Sequence, residues 1–107
     1  MIVVTTETVA GMRIAKVLGL VRGNTIRTSH IGREFKAAFS HMLGGEVIEY
    51  TKLMGEAREQ ALDRMTEQAH QLGANAVVGF RFATCEVMGA AAEILAYGTA
   101  VVIEPAG

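Results

Sequence analysis

A chain of 107 residues fits one domain, and half of these residues are hydrophobic. A domain this small buries only about two-thirds of its unfolded surface, so apolar surface is expected to remain for a subunit interface. Ten Lys and Arg against 11 Asp and Glu leave a net charge of −1, which excludes nucleic-acid binding by bulk electrostatics and a polybasic membrane patch.

Met1 to Thr6 is β-branched and apolar and predicts a short strand. It lacks the charged region and cleavage site of a signal peptide, and no apolar run reaches the length of a membrane span. Gly11 marks a turn. Arg13 to Val21 is apolar on both sides of its alternation, as in a strand covered on both faces. Arg22-Gly23-Asn24 predicts the turn that ends it.

Ile31 to Leu43 predicts a helix, with Ile31, Phe35, Ala38, Phe39 and Met42 on one face and Thr28 or Ser29 as N-cap. Gly44-Gly45 ends it. A longer helix is predicted over Glu46 to Leu72. Its apolar stripe is Tyr50, Met54, Ala57, Ala61, Met65, Ala69 and Leu72, flanked by Leu53 and Leu62. The pairs Lys52/Glu56 and Arg64/Gln68 are spaced as on a solvated face, and Gly73 supplies the stop. Such a helix would be roughly 40 Å long, whereas a compact domain of this size has a radius of gyration of ~13 Å. It is therefore expected to bend near Thr51 or Gly55 or to overhang its own core.

Ala76 to Val87 predicts a strand with Val78, Phe80 and Phe82 on one face and Val77, Gly79, Arg81, Ala83 and Cys85 on the other. A turn over Met88 to Ala91 leads to a last strand, Glu93 to Ile103, ended by Pro105. Ile94, Ala96, Ala100 and Val102 face one way, and Leu95, Tyr97, Val101 and Ile103 the other. The two strands are expected to form an antiparallel hairpin. The order β-β-α-α-β-β defines an α+β class in one domain, residues 1–107.

Leu72-Gly73-Ala74-Asn75-Ala76-Val77-Val78-Gly79 resembles the signature of the YbjQ-like family, small proteins that carry a heavy-metal-binding label. The likeness extends to Val17-Leu18-Gly19-Leu20-Val21-Arg22-Gly23, Gly44-Gly45-Glu46, Ala57-Arg58-Glu59-Gln60-Ala61-Leu62 and Tyr97-Gly98-Thr99-Ala100-Val101. It spans nearly the whole chain in order. The resemblance implies a dodecin-like subunit in a pentameric ring, and it is the sole source of the number five. Many relatives carry an acidic residue where Ala83 or Thr84 stands, so no carboxylate site is carried over there.

The chemistry in the residues themselves is sparse. His30, His41 and His70 share no metal-ligand spacing with one another or with Cys85, and read first as surface histidines. Cys85 is the one thiol, which rules out an internal disulfide and leaves the cytoplasm as the expected compartment. A free cysteine is first a small buried hydrophobe. Its second reading is a soft-metal ligand, with several copies converging in a ring and Arg81 stabilising the thiolate. Met42, Met54 and Met65 read as core filler, while Met1, Met12 and Met88 form no dense Met-x-Met cluster. The glycines match no phosphate-binding motif. Arg58-Glu59 reads as a surface or inter-subunit ion pair, and no catalytic constellation is set by spacing. The expected function is a cytoplasmic homo-oligomer acting as a binding or scaffold protein, with a soft heavy-metal site at Cys85. A small-molecule binder with inter-subunit pockets, or an enzyme completed at an interface, are the alternatives.

Overall fold

The structure, a computed structural model, describes residues 1–26, 47–87 and 91–107. The helix predicted over 31–43, together with His30, His41 and Met88, lies outside these residues. Five elements are described in chain order: β1 (Ile2–Val3), β2 (Met12–Ile26), α1 (Val47–Gln71), β3 (Ala76–Val87) and β4 (Ala91–Pro105). The strands form one mixed sheet in the order β1-β3-β4-β2. β1 runs parallel to β3, while β4 is antiparallel to both β3 and β2. The class is α+β, and the expected β3–β4 hairpin pairing is present.

Glycine placement explains where the strands depart from simple alternation. Arg22-Gly23-Asn24 is not a turn, because β2 continues through it to Ile26. A Cβ at Gly23 would fall on the backbone of α1, against the Ala61 carbonyl oxygen and the Met65 nitrogen. Gly23 is there to let the helix approach the strand. In β3, the register shifts between Val78 and Arg81, and Gly79 has a φ of 63°. This is a bulge with glycine in the left-handed region. It reverses the alternation, so the predicted face of β3 is corrected. Val77 joins Phe80 in packing towards the helix, whereas Val78 lies on the opposite face with Arg81, Ala83 and Cys85.

Helix α1 lies on one face of the sheet. Ala57, Ala61, Met65 and Ala69 are buried against Val21, Val77, Ile94, Ala96 and Ala100, with Met54, Leu62 and Phe80 packed at the margin. The predicted stripe holds from Met54 to Ala69, while the side chains of Tyr50 and Leu53 lie outside those described; Leu72 is exposed, since it follows the helix end, where Gly73 adopts a φ of 86°. Small residues at 57, 61 and 69 permit the close approach, and Met65 fills the gap between them. A second, smaller cluster sits on the other face, where Val4, Val9, Met12 and Ile14 cover Ala76, Val78, Val101 and Ile103.

The size premise behind the expected bend or overhang fails. The described residues extend 56 × 23 × 16 Å with a radius of gyration of 16.9 Å. β2 and β4 contain 15 residues each, or about 50 Å of strand. The 25-residue helix spans about 37 Å, which is shorter than those strands. The sheet is longer than a compact domain allows, so helix length alone calls for neither a bend nor an overhang.

Arg64 and Gln68 are not merely solvated. Gln68 Oε1 accepts the backbone N–H of Arg22 at 2.7 Å, and Arg64 Nη1 donates to the Asn24 carbonyl at 2.6 Å. Thr25 Oγ1 donates to the Ala57 carbonyl. The helix thereby satisfies backbone groups on the outward side of β2. Asn75 does the equivalent at the start of β3: its side-chain amide donates to the Ile103 carbonyl and accepts the Ile103 N–H.

Candidate functional site

Cys85 lies near the far end of β3, opposite Glu93 of β4, and it is exposed. The expectation of a buried packing thiol is therefore corrected. The strand carries it to the sheet face away from α1, along with Ala83 and Arg81. Arg81 turns towards the N-terminal segment, where its Nη1 donates to the carbonyls of Thr5 and Phe80. Its guanidinium thus ties down the chain that crosses beside β3, in place of the expected role beside the thiol.

The opposite end of the sheet brings together three further residues with soft donor atoms, Met1, Met12 and His70. A concavity of about 370 Å³ is lined by Met1, Ile2, Met12, His70, Ala74, Asn75 and Ile103. Four elements and a turn converge there, β4 contributing Ile103. β1 is anchored to β3 through Ile2 and Val3. Met12 opens β2 immediately after Gly11, whose φ is 77°. His70 stands in the last turn of α1, and Gly73 reverses the chain so that Ala74 and Asn75 return along the same wall. Two methionines and one histidine thus line one space.

Such a donor set suits Cu(I) or Ag(I), which favour thioether and imidazole ligands, and suits hard oxygen-seeking cations poorly. Among the described residues no three His, Cys, Asp or Glu side chains come together as a metal cluster. The sulfur-and-imidazole set is thus the donor arrangement the described fold offers. Sequence spacing alone gave no hint of it, since Met12 and His70 are 58 positions apart. The one available signal was that Met1 and Met12 fell outside the helix stripes that account for Met54 and Met65. Cys85 belongs to neither this concavity nor its neighbourhood, being ten residues along β3 from Asn75, or about 30 Å of strand.

Arg58 and Glu59 are exposed on α1. Among the described residues, no helix is long and apolar enough to cross a membrane.

Comparison with known proteins adds a family. The YbjQ family model, described as "Putative heavy-metal-binding", matches residues 1–104. A UPF0145 protein of Clostridioides difficile is 54% identical, over 97% of this chain and 93% of its own. One from Pyrococcus horikoshii is 56% identical, over 96% of this chain and 88% of its own. The crystal structure of a Pediococcus pentosaceus protein of unknown function, from the DUF74 family, superposes with a TM-score of 0.57 at 18% identity. It covers 97% of this chain and 98% of that one. That last likeness concerns the fold alone.

Proposed function

The chain belongs to the YbjQ family, and on that footing we propose that it is a homo-oligomeric protein that binds a soft heavy-metal ion. The observation that carries the metal reading is the convergence of Met1, Met12 and His70 on one concavity. A monovalent soft cation bound there would take two thioether sulfurs and one imidazole nitrogen, with Asn75 on the same wall. The family's description points to the same class of ligand.

The oligomer is supported by the thin shape of the molecule and by large apolar side chains left in solvent. Val17 is 64% exposed and Leu20 is 67% exposed. Surface of that kind on a narrow sheet is relieved by a neighbouring subunit. The ring of five and the dodecin-like subunit follow from the family resemblance. The exposed thiol of Cys85 supports a second metal reading, in which copies of the thiol meet across a subunit contact.

Anaerobic competition for Cu(I) against a chromophoric Cu(I) chelator separates these readings. The parent protein and a Cys85→Ser variant are expected to withdraw copper from the chelator equally. A Met12→Leu/His70→Gln variant is expected to withdraw at least tenfold less. The reverse pattern would move the site to Cys85, and no withdrawal by any of the three would end the metal reading.

A further inference from the structure

We infer that the soft-metal site is gated by peroxide: oxidation of Met1 and Met12 to their sulfoxides releases the ion, and reduction of the sulfoxides restores binding. The inference rests on the metal reading above and names what regulates that site.

The described methionines divide by their place in the fold. Met65 has no exposed surface and is buried with Ala57, Ala61 and Ala69 against the sheet, and Met54 packs at the margin of the same cluster. Met1 is 50% exposed, and Met12 is half-buried at the start of β2. These two are the methionines that line the concavity with His70. Access decides which thioether a dissolved oxidant reaches first. The methionines open to a peroxide are therefore the same two that are offered to the ion, while the methionine of the core is shielded. Met1 is expected to react first, Met12 next and Met65 last.

The reaction is a two-electron oxygen transfer. A lone pair of the thioether sulfur attacks one oxygen of hydrogen peroxide, and the O–O bond breaks. The transferred oxygen stays on sulfur and passes its proton to the departing hydroxide, which leaves as water. Sulfur is oxidised and the peroxide is reduced. In the return step a dithiol reductase removes the oxygen as water and becomes a disulfide, with one enzyme for each sulfoxide epimer.

Oxidation and metal binding compete for the same lone pair. A sulfur bonded to the ion has less of that pair to give to peroxide, so a bound ion slows oxidation. A sulfoxide offers oxygen, a hard donor that a soft cation disfavours. With both sulfurs oxidised, His70 is the soft donor that remains among the described residues lining the concavity.

The fold withstands the change. Beyond Met1 the chain is held by main-chain bonds, from Val4 N–H to the Val77 carbonyl at 2.9 Å and from Phe80 N–H to the Val4 carbonyl at 3.0 Å. The Met12 N–H donates to the Val9 carbonyl at 3.0 Å. None of these bonds uses a methionine side chain, and the helix core lies on the other face of the sheet from the cluster that Met12 covers. Oxidation thus removes a ligand and leaves the structure. Cys85 stands about 30 Å of strand from Asn75, so its oxidation leaves the donors of the concavity as they are.

The test uses Cys85→Ser protein, in which no thiol consumes peroxide or binds metal. Ag(I) is the probe, because Cu(I) itself reacts with peroxide. Met1 and Met12 share the tryptic peptide 1–13, and Met65 lies in the peptide 65–81, so oxidation is read site by site by mass spectrometry. Peroxide is expected to convert Met1 and Met12 while Met65 stays reduced. Silver affinity should then fall by more than the roughly tenfold that loss of an outer-sphere partner costs. Far-UV circular dichroism should be unchanged, and treatment with the two methionine sulfoxide reductases should restore binding. Protein loaded with Ag(I) beforehand should oxidise more slowly in peptide 1–13 and at the same rate elsewhere. Unoxidised protein that binds no silver would remove the metal site and this inference with it. Silver binding that survives full conversion of peptide 1–13, or Met65 reacting as fast as Met1, would overturn the gating alone. So would an oxidised protein that loses its silver only together with its circular dichroism spectrum.

Discussion

Replacing Gly23 by alanine adds one methyl group at the tightest point of the fold. The new Cβ would overlap the Ala61 carbonyl oxygen and the Met65 backbone nitrogen, and would lie 2.8 Å from the Arg64 carbonyl carbon. All three are backbone atoms in the middle of α1, so no rotamer change can relieve the contact. Strand and helix must separate by about 1 Å or more to restore ordinary van der Waals distances. That separation loosens Ala57, Ala61, Met65 and Ala69 from the sheet together, and it stretches the bonds from Gln68 to Arg22 and from Arg64 to Asn24. Overpacking of a core costs about 1–3 kcal/mol, occasionally more. With backbone on both sides, the upper end applies, about 3 kcal/mol. In a domain of this size each kcal/mol lowers Tm by about 4–8 °C, which predicts a fall of about 12 °C or more. Thermal melts followed by far-UV circular dichroism, at fixed protein concentration because assembly makes Tm concentration-dependent, provide the measurement. A Gly23→Ala melt within 2 °C of the parent (roughly 0.5 kcal/mol or less) would refute the close approach of α1 to β2.

Gly55 offers the opposite case, because a Cβ there meets nothing within 4 Å and the residue lies inside α1. Gly55→Ala should stabilise the protein by up to ~1 kcal/mol, read as a rise in Tm in the same melts. Ala61 has no exposed surface, so Ala61→Asp would bury an unpaired carboxylate and cost about 4 kcal/mol or more; an unchanged melt would show the stripe to be wrongly assigned. Asn75→Ala removes both side-chain bonds to Ile103 and should cost about 1–3 kcal/mol, with faster amide exchange at Ile103 as its specific signature.

Much of the fold is legible in local pattern. The helix stripe is set by 3.6-residue spacing, and Ala57, Ala61, Met65 and Ala69 obey it. The strand from Ala76 to Val87 has the predicted bounds. The misreadings come from glycine and from size. Gly23 has the composition of a turn but serves a tertiary contact, which only the position of α1 explains. Gly79 reverses the β3 alternation through a backbone conformation that hydrophobicity does not encode, so Val78 and Phe80 fall on opposite faces. The scaling law for compact chains misled the length argument, because 15-residue strands make this sheet longer than an average domain. The metal candidate was illegible for a different reason. Met1, Met12 and His70 are joined by the return of the chain at Gly73 and the parallel docking of β1, both long-range events. Cys85 was visible as a residue, but its exposure depends on its place beyond the core on β3.

The central claim joins assembly to soft-metal binding, and native mass spectrometry of untagged protein incubated with Ag(I) tests both together. The account predicts an intact oligomer whose mass is a whole multiple of 11.4 kDa plus one silver ion per subunit, with the silver lost in Met12→Leu/His70→Gln and retained in Cys85→Ser. A single 11.4 kDa species that retains no silver would contradict it.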